Sequence, residues 1–168
     1  AEGEGGPESR TVVAQDLTSP FGMVLVGDAL YVANADALVR FAYAPGQQQA
    51  EGAPRRIVDL PGGGDQLNHH WTKSLVASAD GSRLYVGGGS NTNIADKGMV
   101  AEVDRAAVLE VDPTAGTRRV FASGLRNPVG LAWEPHSNAL WAVVNERDEL
   151  GNDLVPDYLT RVDAGAFY

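Results

Sequence analysis

The chain of 168 residues contains no cysteine, which excludes disulfides and thiolate metal sites. Basic residues are scarce: 13 Lys and Arg stand against 22 Asp and Glu, a net charge of −9. No basic patch or basic-aromatic array offsets that balance, so a nucleic-acid partner is not expected. No apolar run has membrane-spanning length, so no transmembrane segment is expected. Helical periodicity is missing too, since no stretch repeats its apolar positions at about 3.6 residues. No signal peptide is visible. The opening Ala1-Glu2-Gly3-Glu4-Gly5-Gly6-Pro7 reads as a tail or a mid-chain start, compatible with a removed leader.

What the chain has is turn formers and short β-like runs. Glycine supplies 20 residues and proline 9, set between Val/Leu/Tyr-rich segments, the pattern of an all-β protein. An apolar fraction of 43% at this length supports one ordinary globular core. Residues 1–9, rich in Gly and Glu, are expected to be a flexible N-terminal segment, and residues 10–168 the folded domain.

Within that domain the sequence repeats. Arg-led runs occur at Arg10–Ala14, Arg55–Leu60 and Thr117–Phe121. After each run come a corner and two further strands. The aromatic of the second of these recurs at Tyr31, Tyr85 and Trp141, spacings of 54 and 56. Ala44–Pro54 reads as a loop, Gly88–Asp104 as a long polar connection and Glu146–Asp157 as an acidic loop. A repeat of that period with about four strands per unit predicts a β-propeller, here about three blades of four-stranded antiparallel sheet. Three blades do not close a ring, so the chain is expected to be part of a longer propeller, truncated at its C-terminus.

Each opening corner joins one blade to the next. The corners are Leu17-Thr18-Ser19-Pro20-Phe21-Gly22, Leu67-Asn68-His69-His70-Trp71 and Leu125-Arg126-Asn127-Pro128-Val129-Gly130. The first and third are offset by 108 positions at Leu, Pro and Gly alike. In a propeller such links reach the channel mouth, which would gather Asn68, His69, His70, Arg126 and Asn127 there. His70 is the general-base candidate, because a neutral imidazole accepts a hydroxyl proton near neutral pH. Arg126 and Asn127 offer a fixed cation and an amide for a developing oxyanion or a carboxylate. The plainer readings are a surface or capping histidine and a turn before proline. Adjacent residues of an extended run point to opposite faces, so the His69-His70 doublet is not expected to share a metal. Asn145–Asp157 carries five carboxylates and suits calcium, or is simply a solvated acidic loop. Ser90-Asn91-Thr92-Asn93 either lines the mouth or is a plain turn.

Two stretches carry a family resemblance: Gly124-Leu125-Arg126-Asn127-Pro128-Val129-Gly130-Leu131-Ala132-Trp133 and the acidic run Asn145–Tyr158. Together with His70-Trp71-Thr72-Lys73 and Pro20-Phe21-Gly22, they resemble the soluble pyrroloquinoline-quinone (PQQ) sugar dehydrogenases, in particular the sorbosone dehydrogenase branch. The resemblance covers residues 11–168. It implies a six-bladed propeller, PQQ over the channel mouth, and Ca2+ beside it. It implies a quinoprotein oxidoreductase that oxidises an aldose or related sugar, with an external electron acceptor, in the periplasm or outside the cell. His70 would take the substrate hydroxyl proton while hydride passes to a quinone carbonyl carbon. Arg126 would stabilise charge on the carbonyl oxygen, with Asn127 a cofactor contact beside it. The family's calcium is held largely by backbone carbonyls of the loop matching Glu146–Glu149, which makes Asp148 and Glu149 the positional metal candidates.

The sequence also departs from that family. The glucose-oxidising relatives orient the base with an aspartate where this chain has Gly87-Gly88-Gly89-Ser90, so His70 needs another partner. The later lysine and arginines that bind the quinone carboxylates would lie beyond Tyr168. Residues 1–168 alone are therefore expected to bind the quinone poorly and not to turn over. Two other readings stay open: a non-catalytic NHL-like binding propeller, and a calcium-dependent lactonase-type propeller that activates water.

Overall fold

The structure, a computed structural model, describes residues 10–62 and 69–168. Its first sheet runs β1 (Met23–Val26), β2 (Ala29–Ala33), β3 (Ala37–Ala42), β4 (Glu51–Asp59). The second runs β5 (Leu75–Ala77), β6 (Leu84–Gly88), β7 (Ala107–Asp112), β8 (Thr117–Ser123). The third holds β9 (Pro128–Trp133), β10 (Leu140–Val144) and β11 (Tyr158–Val162). Every pairing is antiparallel and joins neighbours in sequence, so each sheet is a meander. Among the described residues the one helix is a single 3-10 turn, Met99–Glu102. The all-β propeller expectation holds, with blades of four, four and three strands.

The middle sheet is covered on both faces, and period-2 alternation assigns its side chains. Leu84 and Val86 on β6, with Leu109 and Val111 on β7, pack against Tyr31, Leu38, Ile57 and Val58 of the first sheet. The intervening Tyr85 and Val108 pack the other way, with Leu140, Ala142, Val144 and Val162 of the third. All five residues of β6 are buried as a result. Tyr85 also meets the rings of Phe121 and Trp133 edge-on at 5.1 Å, and Trp133 Nε1 donates to Ala77 O at 2.7 Å, linking the second and third sheets. Tyr85 donates its hydroxyl to Glu110 at 3.0 Å. Burial and that carboxylate push the Tyr85 pKa up to about 12.

The segments leading into β1 and β5 approach closely. Gly22 N donates to Lys73 O at 2.9 Å, and a Cβ on Gly22 would stand 2.5 Å from that oxygen. A side chain there is incompatible with the approach of the two corners.

Two boundaries differ from expectation. Arg10–Ala14 is not a strand: it follows an irregular path held by Ala50 N donating to Val13 O at 2.9 Å. The other two Arg-led runs fall on the outer fourth strands β4 and β8, and this first one has no preceding blade among the described residues to pair with. The expected loop Ala44–Pro54 ends early, because β4 starts at Glu51 opposite Ala42. Register shifts in the β3–β4 ladder accommodate Pro54, as proline requires in an outer strand.

Candidate functional site

The first corner ends where β1 begins, His69–Trp71 of the second stand shortly before β5, and the third runs into β9, which begins at Pro128. Asn68 and Leu67 lie outside the described residues. The Pro20-Phe21-Gly22 corner closes through Phe21 N donating to Ala33 O at 3.1 Å and is plain backbone. The second and third corners carry the polar side chains.

His70 sits in a turn at φ 52°, a left-handed conformation uncommon for a residue of its size. Its Nδ1 is 3.0 Å from Ser90 O. A carbonyl only accepts, so Nδ1 carries the proton and Nε2 keeps its lone pair. Half-burial lowers the His70 pKa, and the Arg126 and His69 charges push the same way, against the Ser90 carbonyl and Asp148, which raise it. The neutral, accepting form is thereby favoured. Ser90 O supplies the partner that Gly87-Gly88-Gly89 cannot. Gly89 makes the arrangement possible, since a Cβ there would lie 2.5 Å from both His70 Cβ and Asn127 Oδ1.

The expectation that the two histidines diverge is wrong. It assumed an extended run, and the left-handed turn at His70 brings the rings to 4.2 Å with an 83° interplanar angle. Donor atoms of His69, His70 and Asp148 all lie within 4.8 Å of one another.

Arg126 is a clamp, with only 11% of its side chain exposed. Nε donates to Asn93 O at 3.0 Å, and Nη1 to Asn145 O at 3.1 Å and to Glu146 O. Nη2 donates to Asn93 Oδ1 at 2.6 Å and to Asp148 Oδ2 at 3.0 Å. A guanidinium has five N–H groups, and each has an acceptor here. Asn127 is 6% exposed, its carbonyl accepts Asn145 N at 3.0 Å, and its amide makes no hydrogen bond among the described residues. Asn91 Oδ1 is buried and likewise without a partner among them.

The acidic loop folds back on itself. Asp157 accepts from Glu146 N at 2.9 Å and Asn145 Nδ2 at 3.1 Å. Those hydrogen bonds hold its carboxyl below the usual range. Asp148 is 55% exposed and turns to Arg126, and its backbone N donates to Asn93 Oδ1 at 2.9 Å. Glu149, at φ 70°, is exposed and makes no hydrogen bond or ion pair among the described residues. The structure therefore brings His70, Arg126, Asn127 and Asp148 together and leaves Glu149 apart.

Sequence reasoning gave three supporting residues no individual role, although the Ser90–Asn93 stretch was open as a lining of the mouth. Asn93 ties Arg126 to Asp148, which favours the mouth-lining reading of Ser90–Asn93 over the plain turn. Ser90 acts through its carbonyl, which no sequence pattern displays. Glu102 accepts from Ser90 Oγ at 3.0 Å and from Asn91 N at 3.0 and 3.1 Å, fixing the turn that holds His70. A further signal was the glycine run before Ser90, which marks close backbone approach.

Comparison with known proteins gives the family. A protein of Borreliella burgdorferi, itself uncharacterized, is 22% identical over 155 residues, covering 86% of this chain and 39% of that protein. The iodide structure of a Trichoderma reesei carbohydrate-active enzyme of family AA12 superposes with a TM-score of 0.76 at 18% identity, covering 97% of this chain and 45% of the enzyme. The holo PQQ domain of Coprinopsis cinerea pyranose dehydrogenase gives 0.70 at 21% identity, covering 91% and 38%. The chain thus spans less than half the length of each of these relatives. The family model described as TrAA12-like matches residues 5–158, and the chain belongs to that family.

Proposed function

We propose that the chain forms the base-bearing part of the mouth of a quinoprotein oxidoreductase acting on a sugar. The observation that carries this reading is the fixed His70 tautomer: Nδ1–H is committed to Ser90 O and Nε2 is left as a base beside Arg126 and Asn127. The superposition on the PQQ domain of pyranose dehydrogenase supports it. An oxygen-rich acid such as pyrroloquinoline quinone suits what the site can offer it: the Asn127 amide, which makes no hydrogen bond among the described residues, and the Arg126 Nη2 that Asp148 can yield. The quinone, when bound, supplies the acceptor for the C–H hydrogen and its electron pair. His70 Nε2 takes the hydroxyl proton of the same carbon, so the sugar loses two electrons and two hydrogens. Arg126 meets negative charge at the mouth, and its Nη2 does so by exchanging Asp148, its most exposed partner.

Calcium fits the loop less well. The carbonyls of Asn145 and Glu146 are turned onto the Arg126 cation, and Asp148 O accepts from Asn93 Nδ2 at 3.3 Å. Ca2+ takes six to eight oxygens, and this loop does not present such a cage, so no step is assigned to it. The finer features belong to the same proposal: a six-bladed whole, an aldose or related substrate such as sorbosone, an external electron acceptor, and a periplasmic or secreted location.

The test is His70→Ala in the full-length protein, assayed for PQQ-dependent aldose oxidation. Removing a positioned general base lowers kcat by about 10²- to 10⁴-fold. Activity retained within a few-fold would remove His70 from that role.

A further inference from the structure

We propose that His69, His70 and Asp148 form a binding site for a borderline divalent transition ion of the Zn2+ class, distinct in chemistry from the calcium the family resemblance implies. The three donor atoms lie within 4.8 Å of one another. Three ligands on one zinc, with bonds of about 2.0–2.2 Å, stand roughly 3.4 Å apart. His69 and Asp148, both exposed, close that difference by rotamer adjustment, while His70 stays fixed.

His70 is prepared as such a ligand is. A metal-binding imidazole donates its other N–H to a carbonyl or carboxylate, which sets the tautomer and the ring plane. Here that bond runs from Nδ1 to Ser90 O at 3.0 Å and leaves the Nε2 lone pair free for an ion. The left-handed φ of 52° is the device that puts neighbouring imidazoles on one side of the chain. The carboxylate is placed as well, since Asp148 Oδ2 accepts from Arg126 and its other oxygen remains for an ion. Two nitrogens and one oxygen select Zn2+, Cu2+ or Ni2+ over Ca2+, which prefers oxygen throughout.

An ion on Nε2 occupies the lone pair that would accept a proton. Such an ion therefore blocks the base, and this consequence alone rests on the proposed function.

The experiment is a titration of the protein with ZnCl2 at pH 7.5, followed by calorimetry and by imidazole ¹⁵N shifts. His136, the remaining histidine, serves as an internal control. One equivalent of Zn2+ is expected to bind, moving His70 Nε2 and a His69 nitrogen and leaving His136 unmoved. His69→Ala and Asp148→Asn should each weaken binding at least tenfold, while His136→Ala changes it less than twofold. Equimolar CaCl2 should not displace the zinc. Because His69 and Asp148 are exposed, circular dichroism is expected to show both variants folded, and the wild-type shifts give the answer without any variant. Zinc affinity unchanged in His69→Ala, ¹⁵N shifts confined to His136, or displacement by calcium would each overturn the site. If zinc binds as described and sugar oxidation by the full-length protein is not inhibited, the base assignment fails and the metal site stands.

Discussion

Lys73 is 1% exposed, and its ammonium donates to Trp71 O at 3.1 Å. Among the described residues no carboxylate pairs with it, and Arg105, itself buried, stands nearby. A Cβ on Gly62 would be 3.1 Å from Lys73 Nζ and 3.2 Å from Arg105 Nη2. Burial first, and the Arg105 charge second, lower the Lys73 pKa from 10.5 to about 8. The sign follows from proton counting. Between pH 8 and 10.5 the unfolded chain holds a proton that the folded chain has released, so stability rises with pH across that window. Thermal melts at pH 7.5 and 9.5 should show the rise in the wild type and lose most of it in Lys73→Met. An equal rise in both would assign the effect to other groups.

At the scale of elements, the corners before β5 and β9 depend on how closely the backbone of β6 passes. Gly88 and Gly89 are neighbours with opposite demands. A Cβ on Gly88 meets only Ala107 O, at 3.9 Å, an ordinary contact, whereas one on Gly89 would collide with His70 and Asn127. Gly89→Ala should therefore cut the sugar oxidation proposed for the full-length protein at least tenfold and perturb the His70 ring resonances. Gly88→Ala should leave both within about twofold. Equal effects would mean that the strand end, not the collision, is what matters.

These elements also show what the sequence made legible. Tyr31, Tyr85 and Trp141 fall on β2, β6 and β10, the second strand of each sheet, so spacing alone located equivalent positions. Corner equivalence placed Arg126 and Asn127 beside His70. The Arg10–Ala14 run misled because its pattern is that of an outer strand, and pairing depends on a neighbour that composition cannot reveal. The histidine doublet misled for a local reason: a single positive φ reverses which face a side chain takes. Asn93 and Ser90 were hidden because their contributions come from the backbone or from a partner more than thirty positions away.

Across the whole molecule, the second sheet is the shared wall of two cores. Leu84 faces the first sheet and Leu140, from the third, faces the second, and both are essentially fully buried. Leu84→Ala and Leu140→Ala should each cost about 2–5 kcal/mol, as large-to-small changes in packed cores do. Because one sheet serves both cores, urea unfolding should stay a single transition in each variant. Two resolved transitions would show that the sheets unfold independently.

The saturated guanidinium of Arg126 has a consequence for selectivity. With all five N–H groups already engaged, a newcomer gains only the difference between its own hydrogen bond and the one it displaces. Recognition at this corner is thus an exchange reaction. Chloride, lone waters and weakly basic oxygens gain little by entering, because Asp148 already offers a full charge at 3.0 Å. A ligand that displaces it also frees the Asn145–Asp157 loop from one of its ties to Arg126, so occupancy of the mouth would be reported in the motion of residues that the ligand itself need not touch.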